Sequence, residues 1–158
     1  MSKLEPAAQR VQDALRAKGL DCTVRHMDRT TRTAEQAAVT CGCAVGQIVK
    51  SLVFRGARSG RAYLLLVSGA NRVDEKSVAA HLGEALERPD AAYVREATGF
   101  AIGGIPPLGH DTSLATFMDE ALLAHDVVWA AAGTPDAVFP IAPAQLVEAA
   151  AATVIPVG

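Results

Sequence analysis

Among the side chains of this sequence, Lys50 offers the most chemistry. In the run Ile48-Val49-Lys50-Ser51-Leu52-Val53-Phe54, period-two alternation places it on the face of Ile48, Leu52 and Phe54. A lysine among such neighbours must snorkel to water, pair with an acid or reach into a cavity. In a cavity its ammonium would hold a phosphate or a substrate oxygen. On an edge strand it would guard against aggregation instead, and the run alone leaves both readings open. The second feature is the stretch Thr98-Gly99-Phe100-Ala101-Ile102-Gly103-Gly104-Ile105-Pro106-Pro107-Leu108-Gly109-His110. Its glycine spacing is not G-x-G-x-x-G, and no Lys-Ser/Thr follows, so it is not a phosphate loop. Adjacent glycines let a ligand approach the backbone, while Pro106 and Pro107 fix its path and remove two donors. The amides of Gly103 and Gly104 suit a carbonyl or a developing oxyanion; the plainer reading is a tight structural turn.

The remaining reactive residues are less organised. Cys22, Cys41 and Cys43 are odd in number, and Cys41-Gly42-Cys43 has no second pair at zinc spacing. They read as reduced thiols filling small spaces, with a metal or redox switch as the alternative. His110 precedes Asp111, but sequence neighbours seldom form a catalytic dyad, and there is no G-x-S-x-G elbow. His26, His81 and His125 lack metal-like partners at i+3 or i+4. The pattern calls for no metal and no cofactor.

These residues need elements to hold them. Leu4, Ala8, Val11 and Leu15 define an amphipathic helix stopped by Gly19, and residues 22–27 suit a short strand. Thr33 with Gln36 forms a capping box opening a helix through Val39. Strands are expected over 48–55 and 62–67, joined by a hairpin loop over 56–61. Asp74 caps a helix ending near Gly83, and another runs from Pro89 to Ala97. Strands over 126–130 and 137–141 flank Gly133-Thr134-Pro135, and a helix over 144–152 closes the chain. The whole predicts an α+β fold with a mixed sheet curling into a barrel, not a regular β-α-β alternation.

Size and charge narrow the classes. The 158 residues are half hydrophobic and 20% charged, enough for one domain with a proper core rather than a disordered or disulfide-stapled chain. No apolar run approaches the roughly 20 residues of a membrane helix, and the N-terminal residues show no export signal, so a cytoplasmic location is expected. Seven aromatics make no stacking platform for single-stranded nucleic acid. The net charge of −2 divides into +7 over residues 1–72 and −9 over residues 73–158. The basic half suggests a patch that holds a phosphate-bearing partner by its end.

Four segments together resemble the YbaK/EbsC family of trans-editing proteins, which are similar to the editing domain of bacterial prolyl-tRNA synthetase. They are Gly46 to Phe54, Leu66-Val67-Ser68-Gly69-Ala70-Asn71-Arg72-Val73-Asp74, the glycine–proline loop, and Trp129-Ala130-Ala131-Ala132-Gly133-Thr134-Pro135. The resemblance implies one compact α+β editing domain over residues 1–158, with a barrel-like sheet flanked by helices. It implies hydrolysis of the ester joining a wrong amino acid to the terminal adenosine of tRNA, without a covalent nucleophile. By resemblance Lys50, Gly103 and Gly104 carry the catalysis, and His26, Thr31, Ser51, Pro106, Ala132 and Gly133 bind substrate. Where cysteine-specific members often read Ser-Gly-Gly, this chain has Ala131-Ala132-Gly133. That widens the candidates to alanyl, 2-aminobutyryl, seryl, threonyl and cysteinyl esters. The implied partners are the 3′ acceptor end of mischarged tRNA and, where tRNA identity is read elsewhere, an aminoacyl-tRNA synthetase. A non-catalytic module binding a nucleotide or aminoacyl-adenylate in the same cavity is the alternative.

Overall fold

The structure, a computed structural model, describes residues 4–27, 33–110 and 114–158. Helix α1 (Pro6–Ala17) buries Ala8, Val11 and Leu15 on one stripe. Strand β1 is only Arg25–His26, shorter than the expected 22–27. The cause is Gln12, buried on α1: its side chain donates to the Cys22 carbonyl (3.0 Å) and accepts from the Val24 amide (2.8 Å). A helix side chain thus satisfies backbone groups that a strand neighbour would otherwise take. Helix α2 (Ala34–Cys41) starts where Thr33 Oγ1 accepts from the Gln36 amide and stops at left-handed Gly42.

Strands β2 (Val49–Gly56) and β3 (Ala62–Ser68) form the expected hairpin, with Lys50 opposite Val67. Helices α3 (Glu75–Leu82) and α4 (Ala91–Thr98) are capped by Asp74 and Asp90. Between them, β4 (Leu86–Glu87) pairs with the far end of β2 at Arg55 and Gly56. Strand β5 (Ala115–Asp119) runs parallel to β3, and β8 (Thr153–Ile155) parallel to β5. The result is a mixed sheet of order β4-β2-β3-β5-β8. Strands β6 (Val128–Ala131) and β7 (Ala137–Ile141) pair with β1 in a second, antiparallel sheet. Helix α5 (Pro143–Ala149) stops three residues before the predicted end, residues 150–152 turn the chain, and β8 follows where no strand was expected.

Alternation divides the core. Val49, Val53, Leu64, Leu66 and Met118 face α1, Val94 of α4, Leu146 of α5 and the second sheet. Phe54, Tyr63, Leu65 and Val67 face Val78 of α3 and Ile155. The fold is α+β with a mixed sheet, as expected, but the barrel does not close among the described residues. The two sheets meet at a lone parallel bridge between Ile48 and Trp129, which sets the second sheet beside the start of the Lys50 strand.

Candidate active site

Lys50 does reach a polar partner. Its Nζ donates to the carbonyl of Asn71 at 2.5 Å, in the turn that follows β3. That turn is held by Asp119 at the end of β5, which is 1% exposed. One carboxylate oxygen of Asp119 accepts from the Ser68 amide (3.1 Å) and from Asn71 Nδ2 (3.0 Å). Its other oxygen accepts from the Ala121 amide (2.9 Å). The lysine is therefore seated on a carbonyl whose position depends on a buried carboxylate 69 residues away in sequence. Asn71 lay within a segment that carried the family resemblance but had no role of its own there, and Asp119 did not stand out. Asp119 carries only the local signal of a cap for the turn after it.

The two glycine turns also meet. The Gly133 amide donates to the Gly104 carbonyl at 2.9 Å. A Cβ on Gly104 would lie 2.7 Å from Thr134 Cα and 2.8 Å from the Gly133 carbonyl group, so only glycine permits this approach. Gly133 itself has φ +91° and lies against the α1 backbone at Ala7. The Gly104 amide donates to the Ala101 carbonyl (3.2 Å). The Gly103 amide has no acceptor among the described residues, so of the two amides predicted for an oxyanion, Gly103 remains open.

Lys50 and Gly103 line one hollow of about 130 Å³, together with Thr33 and Ala37, the β6 residues Ala130 and Ala131, and Val138. Its walls are mostly small and apolar. A second cavity of about 590 Å³ also includes Lys50 and extends along Ser51, Arg72, Arg88, Val94 and Ile105. The predicted residues thus divide. Lys50, Gly103 and the Ala131 end of the alanine turn share the small hollow, and Ser51 lines the large one. Ala132 and Gly133 are buried behind the turn, and Pro106 is buried with its carbonyl 2.7 Å from His110 Nε2. His26 lines a different hollow with Cys41 and Trp129, its Nε2 3.8 Å from Asp136. Thr31 lies outside the described residues.

The thiols are tuned away from reactivity. Burial is the main cause that raises Cys41 to about 11, with Cys43 adding to it and Arg25 opposing. Burial likewise raises Cys43 and Cys22. A nucleophilic or metal-binding cysteine needs the opposite shift. No trio of metal-ligating side chains occurs among the described residues, and none of their helices is long and apolar enough to cross a membrane.

Comparison with known proteins gives the family. The Bacillus subtilis (strain 168) protein YwhH, itself uncharacterized, is 30% identical over 125 residues, 79% of each chain. A crystal structure of a candidate trans-editing enzyme for prolyl-tRNA synthetase is 48% identical, with TM-score 0.92 and 98% of each chain covered. The crystal structure of hypothetical protein APE2540 matches at 30% identity and TM-score 0.86, over 94% of this chain and 98% of that one. The sequence profile of the aminoacyl-tRNA editing domain matches residues 28–149, a span containing Lys50, both glycine turns and Asp119. The chain belongs to the aminoacyl-tRNA editing domain family.

Proposed function

We propose that the protein is a trans-acting deacylase that hydrolyses the ester of a mischarged small amino acid on tRNA. The observation that supports this reading is the shared hollow, lined mostly by small apolar residues together with Lys50 and Gly103, whose amide has no acceptor among the described residues. An aminoacyl ester is already activated, so a site needs only to place it, place water and stabilise one oxyanion. Placement alone lowers such barriers by roughly 7–11 kcal/mol in favourable cases. The Gly103 amide receives the ester carbonyl as it gains charge, an interaction that strengthens in the transition state. Lys50 lies on the ribose or terminal-phosphate side. The amino-acid side chain enters the 130 Å³ chamber, smaller than the ~150 Å³ apolar cavity that accepts benzene. Side chains of a few heavy atoms fit, and apolar walls favour alanine and 2-aminobutyrate over serine, threonine and cysteine. Charged tRNA is then the partner, engaged at its 3′ end in the cytoplasm, with a synthetase as the source of tRNA identity.

The test is a deacylation panel of tRNA charged with alanine, 2-aminobutyrate, serine, threonine or cysteine, with wild type and Lys50→Ala. Lysine-dependent release of the smaller apolar residues is the expected result. Folded protein that releases none of them, while still binding an aminoacyl-adenylate analogue, would replace the hydrolase with a binding module.

A further inference from the structure

We propose that the tip of the β2–β3 hairpin is a separate contact surface for double-stranded RNA, which grips stem phosphates at a distance from the chamber and from the terminal residue. The inference rests on the editing reading for one point, that the RNA is a tRNA acceptor stem.

The tip reads Arg55-Gly56-Ala57-Arg58-Ser59-Gly60-Arg61, three arginines with only small residues between them. All three are exposed, and none forms an ion pair with a carboxylate among the described residues. Each has a neutral seat instead. The Arg55 guanidinium lies 5.5 Å from the centre of the Tyr93 ring, and that of Arg61 lies 5.4 Å from the centre of the Tyr63 ring. Arg58 Nη2 donates to the Gly83 carbonyl (3.4 Å). Stacking fixes a guanidinium by its face and leaves N–H donors at its rim for phosphate oxygens. Two carboxylates stand nearby. Glu84 is engaged by the Arg58 and Ser59 amides and by the Ser59 and Tyr63 hydroxyls. Glu87, opposite Arg55 in the ladder, forms no pair with it.

The placement of the arginines selects the partner. Tyr93 packs into one core face of the sheet and Tyr63 into the other, so Arg55 and Arg61 stand on opposite faces of the hairpin, with Arg58 at its turn. A lipid surface or an acidic peptide meets one such face. Cations on both faces match the two phosphate strands that flank a duplex groove. Both tyrosine rings lie under guanidiniums, so the tip offers no platform on which unpaired bases could stack. Double-stranded RNA is recognised mainly by shape and backbone, and that is what this tip can read.

The tip is held ready and lies at a suitable distance. The Gly60 amide donates to the Gly56 carbonyl, the Ala57 amide to the Ala85 carbonyl and the Tyr93 hydroxyl to the Gly60 carbonyl, each at 2.9 Å. A surface ordered in advance loses little conformational freedom on binding. Arg55 stands about 17 Å from Lys50 along β2, at about 3.3 Å per residue. The intervening edge is open, with β4 pairing only from Arg55 onward and the 590 Å³ cavity following residues 50 to 54. At about 3.4 Å per stacked nucleotide, the tip meets the RNA roughly five nucleotides from the ester, in the stem rather than the unpaired 3′ end.

The test follows the full chain binding an uncharged RNA hairpin that carries the acceptor stem and CCA end, by fluorescence anisotropy over a range of salt. An RNA duplex of unrelated sequence and the CCA trinucleotide serve as further probes. Losing three phosphate contacts, at about 0.9 each, Arg55→Gln/Arg58→Gln/Arg61→Gln should lower the slope of log affinity against log salt by about 2 to 3. Its affinity for both duplexes should fall about tenfold or more near physiological salt, with CCA binding within about twofold of wild type. The triple lysine variant, which keeps the charge, should recover most of the affinity, whereas a merely structural role would not be rescued. With a charged stem as substrate, the glutamine variant should raise KM far more than it lowers kcat. Wild type that binds neither duplex, or a folded glutamine variant with the wild-type slope, overturns the surface. Equal losses on stem and trinucleotide overturn its separation from the 3′ end, and a loss confined to one duplex sequence overturns the phosphate grip. Should deacylation fail on every tRNA, the salt slopes still decide this surface, so the two readings fail separately.

Discussion

The two ends of strand β2 are built on opposite rules. At its far end, Glu84 accepts from the Arg58 and Ser59 amides (3.0 and 2.9 Å), from Ser59 Oγ (2.6 Å) and from the Tyr63 hydroxyl (2.6 Å). There β4 also closes the ladder at Arg55 and Gly56. At the near end, among the described residues, the Ser51 hydroxyl is left without a partner, the ladder has no second strand from residue 50 to 54, and Arg72 has no acid within reach. The saturated end holds the hairpin in shape. The unsaturated end leaves hydrogen-bonding capacity for something outside the chain. One strand thus serves as both scaffold and binding ledge, and the boundary falls where β4 begins.

The contrast breaks most sharply at Lys50. Lys50→Ala removes a half-buried cation but no core packing. We expect kcat/KM for deacylation to fall about 100-fold or more, the scale of removing one preorganised donor from a reacting site, with the melting temperature within a few degrees of wild type. A folded variant with near-native turnover would end the role given to this lysine. Asp119→Ala is the next largest, and it acts on stability. It strands the Ser68 and Ala121 amides and the Asn71 side chain, each buried donor costing about 1–3 kcal/mol. Urea unfolding should show a loss of about 3 kcal/mol or more. Asp119→Asn, which keeps an accepting oxygen, should recover part of the stability and part of kcat, because Lys50 sits on the carbonyl that this network holds.

Much of this scaffold was legible beforehand. Alternation found β2, a continuous apolar run found β3, side-chain caps found the starts of α2 and α3, and β7 fell where expected; the Asp90 cap of α4 was not foreseen. Strands β5 and β8 were not foreseen. Phe117 and Met118, adjacent in β5, pack into opposite core faces, so no polar–apolar alternation marks the strand, and its pairing with β3 is parallel and distant in sequence. In β8, three residues after an alanine-rich helix carry too little pattern to register. The site divides the same way. Lys50 and the glycine loop showed themselves by residue type, whereas the Asn71–Asp119 seat and the edge cavity exist only through contacts between distant segments. His26 was placed in the lysine's pocket by the family resemblance, but it lines a different hollow, with Cys41 and Trp129.

The saturated end has a pH signature of its own. Hydrogen bonds from Ser59 and Tyr63, foremost among its partners, hold the Glu84 carboxyl down at about 2, against an ordinary 4.5. A carboxyl depressed by folding contributes stability that is fully present above its unfolded value and is lost as pH falls through the folded one. The contribution should therefore be intact above about pH 4.5 and decline between 4.5 and 2. Glu84→Gln keeps the shape without the titration. Its melting temperature should lie below wild type at neutral pH, and the gap should narrow across that window. A gap that stays constant from pH 6 to pH 2 would show the clamp to be steric rather than ionic.

The smallest effect tests the chamber wall. Ala131 lines the 130 Å³ hollow beside Lys50 and Gly103. A hydroxyl there adds one donor and acceptor to an otherwise apolar wall, enough to pair with a hydroxyl or thiol on the substrate and to leave a methyl unpartnered. Differences of this size are worth only about 1–3 kcal/mol in a small pocket. Ala131→Ser should thus shift the ratio of kcat/KM for seryl over alanyl esters by about tenfold, with the alanyl rate falling modestly and Lys50 dependence unchanged. The ratio isolates the chamber, because anything that disturbs Lys50, the Gly103 amide or the β2 edge acts on both esters alike and cancels. A ratio that does not move would mean that the side chain is read by another wall, with Ala37 of α2 and Val138 of β7 the residues that face the same hollow.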